Sequence, residues 1–316
     1  MILVFAEHNG GDVDNHSLQT LTFANNLSKE KGLSMEVVSF GDTDVSATVK
    51  QYGAAKNHCI KADNLTQYSP EAWAQSLGQL AESTGATLLL ASSSVKGNEV
   101  LSYVAAQKSL ALVSQVLAVG GDSNVTRSSW AGGLLEEVQV SQTLGLYTVA
   151  DGAIEAQEAP VDSCEVCEFT PTMDDKYFRV QLKRMEASVH EGPNLKTASL
   201  VIGGGGGVGS AEGFAPLEKL SEMLKGVVGS SRVATNNGWR VHTQQIGMTG
   251  SPIAPKLYIA CGISGAIQHM AGCKNCENIL AINTDEEAPI FSHADYGIVG
   301  DLHKVVPAII AELEKG

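Results

Sequence analysis

Several groups of residues in this chain have types and spacings that chemistry could use. The first is Gly204-x-Gly206-x-x-Gly209, set between an apolar run and a helical pattern. Glycines there let the main chain turn tightly and approach a phosphate, and a following helix start offers unpaired N–H groups. Ser210 reads as the cap of that helix, and Glu212 suits its first turn. A glycine run also meets this pattern by chance, so a tight turn without a ligand is the competing reading. The second group is Gly262-Ile263-Ser264-Gly265-Ala266-Ile267-Gln268-His269, again between a strand-like and a helix-like stretch. Ser264 reads as a helix cap there. Ala266 breaks the G-x-S-x-G spacing of a nucleophile elbow. His269 falls in the second helical turn, where a satisfied, partly buried histidine is the plainer reading.

Asn283 and Asp301 each follow an apolar run, and Gly247-Met248-Thr249-Gly250 forms a further polar loop. Taken singly, Asn283 and Asp301 are ordinary turn residues. Together, these positions place glycine or polar groups at the ends of successive strands, where open α/β sheets bind ligands. A nicotinamide dinucleotide site wants an acidic residue about 20 positions after the glycine loop. The chain has Gly229-Ser230-Ser231-Arg232 in that region, which disfavours a plain NAD site. Arg232 leaves two alternatives open, a reader of a 2′-phosphate or a different ligand.

Two Cys-x-x-Cys pairs, Cys164/Cys167 and Cys273/Cys276, lie too far apart for the usual zinc spacing of about 15–20 residues between pairs. They read as incidental or weakly redox-active thiols. The histidines show no ligand spacing. No metal site is expected, and no catalytic residue is assigned.

The elements that must position these residues follow an α/β order. Residues 2–6 form a continuous apolar run, as a parallel strand buried on both faces requires. Helical stretches at 17–29 and 70–81 alternate with strand-like runs at 35–40, 59–60 and 86–91. This alternation predicts βαβ units and a mostly parallel sheet. Short β-like runs then follow at 114–119, 125–130, 134–140 and 144–149, read as an antiparallel edge on that sheet. A run at 178–182 is a further candidate strand. A second alternating pattern begins at Ser199. It has strands near 200–202, 227–228, 257–261, 278–282 and 297–299, and helices near 214–224 and 307–313. The predicted fold class is therefore two-domain α/β: an N-terminal parallel sheet with added antiparallel strands over 1–190, then a Rossmann-like domain over 196–316. The boundary falls within 186–197.

With 21 Lys+Arg against 35 Asp+Glu, the net charge of −14 repels phosphate backbones and anionic lipid, which argues against nucleic-acid and membrane-surface roles. No stretch approaches the roughly 20 apolar residues that span a bilayer. The start, MILVFAEHNGG, lacks a basic n-region and a cleavage site, so no signal peptide is expected. Six cysteines in 316 residues are too sparse for a disulfide scaffold, and the cytoplasm is the expected compartment.

The segment PKLYIACGISGAIQHMAGCKNCENILAINTDEEAPIFSHADYGIVGDLHKVVPAII, residues 255–310, closely resembles the signature of electron transfer flavoprotein α subunits. GSSR at 229–232 and GMTG at 247–250 resemble family elements in order and spacing. ILVFAEH, Tyr52-Gly53-Ala54 and TVADG resemble the family's first domain more loosely.

This resemblance implies an αβ heterodimer with one FAD in the C-terminal domain of α and AMP, or a second FAD in an electron-bifurcating branch, in the β subunit. The first domain would pack on that β subunit. The implied FAD contacts are Ser231, Arg232, Ile246, Gly247, Met248, Thr249, Ser264, Gly265, Ala266, Ile267, Gln268, His269, Asn283, Asp301 and Leu302. Arg232 would lie over the flavin, Thr249 near N5 and His269 near the C2 carbonyl. Arg232 would supply fixed charge and His269 charge that varies with pH, with the helix opening at Ser264 adding its dipole. The implied donors are flavin-dependent dehydrogenases, and the implied acceptor is a quinone oxidoreductase.

The chain departs from the family pattern at four positions. Gly206 replaces a glycine-loop arginine, Met248 a glutamine, Ser251 a lysine and Ala150 an arginine. Gly204-x-Gly206-x-x-Gly209 with Arg232 keeps an NADP oxidoreductase as an alternative. The missing glycine-loop arginine keeps a nucleotide-sensing or scaffold module as another.

Overall fold

The computed structural model describes residues 1–65, 67–121, 124–184, 194–195 and 197–315. The chain divides into two compact units, Met1–Glu186 and Ala187–Gly316. Most of the boundary region read from the sequence, and Pro193 and His190 with it, lies outside the described residues.

In the first unit β1 (Ile2–Phe5) is buried along its whole length. Its alternate residues serve two cores. Ile2 and Val4 face the side of α1 (Asn15–Lys31), whereas Leu3 and Phe5 face the other side of the sheet. The elements β2 (Met35–Phe40), β3 (Lys56–Ile60), α2 (Pro70–Thr84), β4 (Leu88–Ser92) and α3 (Val95–Lys108) follow the alternation read from the sequence. Gly32 and Gly85 end α1 and α2 in the left-handed region, at φ 62° and 66°, where glycine carries no Cβ penalty.

Next come β5 (Leu112–Val119), β6 (Asn124–Ser129), β7 (Leu134–Gln139), β8 (Gly145–Val149) and β9 (Glu165–Phe169). The strand order of this sheet is β9-β3-β2-β1-β4-β8-β5-β6-β7. Strands β5, β6 and β7 are antiparallel neighbours, as the run of short β segments predicts. The run at 144–149 is not part of that edge. As β8 it inserts parallel between β4 and β5. All of its residues are buried, and a strand apolar on both faces belongs inside a sheet. The run at 178–182 forms no strand either. It follows a 3-10 turn (Asp175–Phe178) and docks on the start of α2, where Ser69 Oγ donates to Val180 O at 2.7 Å and Leu182 N donates to Tyr68 O at 2.9 Å. The last strand is instead β9, which pairs parallel to β3 at the edge.

The second unit is a five-stranded, all-parallel sheet in the order β11-β10-β12-β13-β14. Its elements are β10 (Leu200–Gly204), α4 (Ala215–Met223), β11 (Val227–Ser230), α5 (Arg232–Asn236), β12 (Leu257–Cys261), α6 (Ile267–Met270), β13 (Ile279–Asn283), β14 (Tyr296–Val299) and α7 (Leu302–Leu313). Ser210 does not cap α4, which Phe214 precedes; its Oγ accepts from Gly213 N at 3.2 Å in the 3-10 turn that leads into that helix. The helix α7 starts at Leu302 rather than near 307 because Asp301 caps it and the interior Pro307 is exposed. The carbonyl that Pro307 cannot serve can then meet water.

Helices α4 and α7 cover one face of this sheet. The other face holds Tyr258 under a layer of loop residues that includes Ile246, Ile253, Met270 and Ile290. Tyr258 is fully buried, and a Cβ on Gly203 would sit 2.3 Å from its Oη. Glycine at 203 thus makes room for the tyrosine. No helix among the described residues is long and apolar enough to cross a membrane. Gly203→Ala is expected to lower unfolding stability by about 2 kcal/mol through overpacking against Tyr258, measured by equilibrium denaturation against the unaltered chain.

Candidate functional site

The carboxyl ends of β10, β11, β12 and β13 open onto one cavity of about 520 Å³. Its wall draws on the loops after these four strands, while the loop after β14 stays outside it. Gly206 and Gly207 come from the loop after β10, Ser231 and Arg232 from the loop after β11, His269 from the stretch after β12, and Asn283 from β13. The glycine loop also has a purely steric reason to be glycine. A Cβ at Gly205 would lie 2.2 Å from Gly262 O, and one at Gly207 would lie 2.8 Å from Gly262 Cα. The Gly207 N–H donates to Gly262 O at 3.0 Å. The two loops therefore touch main chain to main chain, which gives the glycines a tight-turn role, while Gly206 and Gly207 also line the cavity. At Gly206 the nearest atom to an added Cβ is Val233 Cγ1 at 3.4 Å, so a small side chain there needs only a slight shift.

His269 is buried, and its Nε2 lies 2.8 Å from Tyr258 Oη. Burial holds the Tyr258 hydroxyl well above the ordinary phenol range, so it stays protonated and able to donate to Nε2. The upward pull of the Ile246 main chain on His269 fits a ring proton on Nδ1, the tautomer in which Nε2 accepts from Tyr258. Ser231 Oγ is buried without a hydrogen-bond partner among the described residues, His269 Nδ1 has only the Ile246 main chain beside it, and both residues line the cavity. Burial pulls the His269 pKa down to about 4, against a weaker upward pull from the Ile246 main chain. The imidazole is therefore neutral at pH 7, not the variable charge expected from the sequence.

Arg232, the first residue of α5, is exposed at the cavity and makes no ion pair among the described residues. Thr249 is held from behind, because Gln245 Nε2 donates to Thr249 Oγ1 at 2.9 Å while Gln245 Oε1 accepts from Thr235 Oγ1 at 2.6 Å. This arrangement leaves the Thr249 hydroxyl proton free. Asn283 is structural as well as lining: its Nδ2 donates to Ile263 O at 2.9 Å and its Oδ1 accepts from Asp285 N at 3.0 Å. The main-chain N–H groups from Ile263 to Gln268 meet no protein acceptor among the described residues.

The cavity thus brings together Ser231, Arg232, Ile246, Gly247, Met248, Thr249, Ser264, Ala266, Gln268, His269 and Asn283. Four residues of the implied contact set lie outside its wall. Gly265 backs onto Ile290, and Ile267 is 73% exposed. Asp301 accepts from His303 N at 2.9 Å, and Leu302 is buried behind Gly262. Ser264 does not cap a helix. The helix α6 starts three residues later, is capped by Ala266 and has four residues, too few for a sizeable dipole. Sequence reasoning missed Gln245, Asn236 and Val233. Nothing in their residue types or spacing marks them, and only the fold brings them to the wall.

Among the described residues no group of His, Cys, Asp or Glu could hold a metal ion. Cys167 lies in β9, Cys164 immediately precedes it, and an odd separation along a strand points side chains to opposite faces.

The donor set suits a particular kind of ligand. A fixed guanidinium, a buried N–H, two hydroxyls and a row of free amides call for an anionic group rich in acceptors, and they fit FAD without a metal. Comparison with known proteins bears on the same point. Residues 2–173 match the electron transfer flavoprotein domain, and residues 194–274 match the electron transfer flavoprotein FAD-binding domain. The chain is 32% identical to the electron transfer flavoprotein subunit alpha of Thermoanaerobacterium thermosaccharolyticum, over 99% of this chain and 98% of that protein. It is 36% identical to the subunit of the same name from Mycobacterium leprae, over 97% of this chain and 96% of that one. It is 31% identical to Protein FixB of Clostridium saccharobutylicum, over 99% and 96%. The FAD-binding match displaces the NADP and nucleotide-sensing readings of the glycine loop. The chain belongs to the electron transfer flavoprotein α subunit family, whose cofactor is FAD.

Proposed function

We propose that this chain is the α subunit of an αβ heterodimer, that it holds FAD in the cavity of its second unit, and that it carries electrons from flavin-dependent dehydrogenases to a quinone oxidoreductase. One observation supports this reading above the others. Ser231, Arg232 and His269 line one cavity, where Ser231 Oγ is buried without a protein partner and Arg232 makes no ion pair among the described residues.

When bound, FAD supplies the redox chemistry, because its ring system takes up and returns electrons. The residues of this chain supply fixed surroundings. Arg232 cannot lose its proton, so it places permanent positive charge where the ligand's negative charge grows on reduction. His269 offers a neutral N–H donor, locked in direction by Tyr258. Thr249 offers a hydroxyl proton whose oxygen is anchored by Gln245. Met248 supplies its main chain to the loop, with its N–H donating to Gln268 O at 2.7 Å, while its side chain is exposed. The amides from Ile263 to Gln268 offer donors that need no reorganisation.

The β subunit is supported by the surface of the first unit. The β6–β7 hairpin carries Trp130 at 78%, Leu134 at 52% and Leu135 at 71% exposure. Large apolar side chains exposed on one hairpin suit burial under a partner.

Copurification with the β subunit encoded beside it is expected to yield a heterodimer containing flavin, read from the optical spectrum. One flavin per heterodimer indicates simple transfer and two indicates bifurcation. A pure heterodimer that neither contains FAD nor takes it up would refute the reading. Arg232→Ala is expected to lower the flavin midpoint potential by roughly 30 mV, which equals about 1.4 kcal/mol for a two-electron couple. An unchanged redox titration would remove Arg232 from the ring's surroundings. The His269 pKa, about 4 when folded, also predicts an acid response. A folded pKa below the unfolded one means that the unfolded chain takes up the proton first. The stabilisation is complete above about pH 6.5 and is lost as pH falls through 4, amounting to about 3 kcal/mol. Denaturation curves across that range are expected to show this loss in the unaltered chain and much less of it in His269→Gln.

A further inference from the structure

The Cys273-Lys274-Asn275-Cys276 segment adjoins the element that carries His269, yet neither cysteine lines the cavity. The Cys276 N–H donates to Cys273 O at 3.1 Å, closing a β-turn over the four residues. Such a turn holds its end Cα atoms within about 7 Å. A disulfide spans Cα atoms about 4.4–6.8 Å apart, so the turn sets the pair within bridging reach. The Cys276 thiol donates to Ile253 O at 4.0 Å, and its nearness together with burial keeps the Cys273 thiol protonated far above the ordinary range. Cys276 is half-buried, and Lys274 and Asn275 at the turn's tip are exposed. A disulfide reagent can therefore reach Cys276, while Cys273 waits in the core.

The turn is mechanically tied to the cavity wall. The Cys273 thiol also faces His269 O at 3.5 Å, and Ile253 N donates to Gly272 O at 2.8 Å. A Cβ on Gly272 would stand 2.6 Å from Gly247 Cα, so the segment has no slack toward the loop that bears Met248 and Thr249.

We infer that Cys273 and Cys276 form a dithiol–disulfide pair that closes by exchange with a low-molecular-weight disulfide and re-seats His269 as it closes. The Cys276 thiolate attacks one sulfur of the reagent, and its S–S bond breaks to release one thiol. Cys273 then attacks Cys276 Sγ, a second thiol departs, and the two cysteine protons end on the two departing sulfurs. The protein loses two electrons and the reagent gains them. The closed pair has no S–H left to donate to the His269 carbonyl. This step does not depend on what the cavity binds.

Glutathione disulfide added to the full-length native chain is expected to remove two of its six thiols. The mass should fall by two hydrogens, and the peptide map should link positions 273 and 276. The His269 ring resonances should shift on oxidation and return with dithiothreitol. Cys276→Ser should abolish all of these changes. Cys273→Ala should instead trap one glutathione on Cys276. A stable glutathione adduct on the unaltered chain, a link through another cysteine, thiols that react only after unfolding, or His269 resonances that do not move in the oxidised chain would each overturn the inference.

Discussion

The buried hydrogen bond between Tyr258 and His269 is the constraint around which the second unit is arranged. It lies where water cannot compete, so each partner depends on the other for satisfaction. It joins the start of the central strand to a four-residue helix that could not hold its own orientation. It dictates the absence of a side chain at Gly203, and it fixes which ring nitrogen faces the cavity. Removing the tyrosine hydroxyl would leave both a void and an unsatisfied imidazole nitrogen in the core.

Around that bond, the parallel sheet does the positioning. Parallel strands end on the same side, so the loops after β10, β11, β12 and β13 converge, and the long stretch between α5 and β12 folds back to add Gln245 to Thr249. The helices cover only one face of the sheet, which leaves the other to loops and to the short helix α6. Preorganisation is then a matter of small hydrogen-bonded relays. Gln245 holds Thr249, and Asn283 holds the Ile263 carbonyl so that the amides beyond it stay open.

Much of this was legible in the residue order. The two alternating patterns, the glycine loop, Arg232 and the convergence of strand ends can all be read because each depends on local periodicity or a short motif. The long segment from Pro255 to Ile310 carried the family resemblance by itself. What could not be read depends on three-dimensional neighbours. The run at 144–149 looks like its antiparallel predecessors, and only burial on both faces moves it to the interior. Ser264 has the side chain of a cap, yet the positive φ of Gly265 delays the helix past it. His269 carries no mark of its protonation state in sequence, because that state follows from desolvation by residues distant in the chain.

The strand order of the first sheet has a consequence for how the chain reaches its fold. Strand β9 pairs with β3, which ends at Ile60, and β8 must slide between β4 and β5, both already made when it appears. During synthesis the early strands must wait, with their edges unmatched, for more than a hundred residues to emerge. Such high contact order slows collapse into the correct register and leaves open edges to be guarded meanwhile. The second sheet has no wait as long as that of β3 for β9, since all its paired strands lie closer together in sequence. The half of the chain made last is thus free to settle as soon as it emerges.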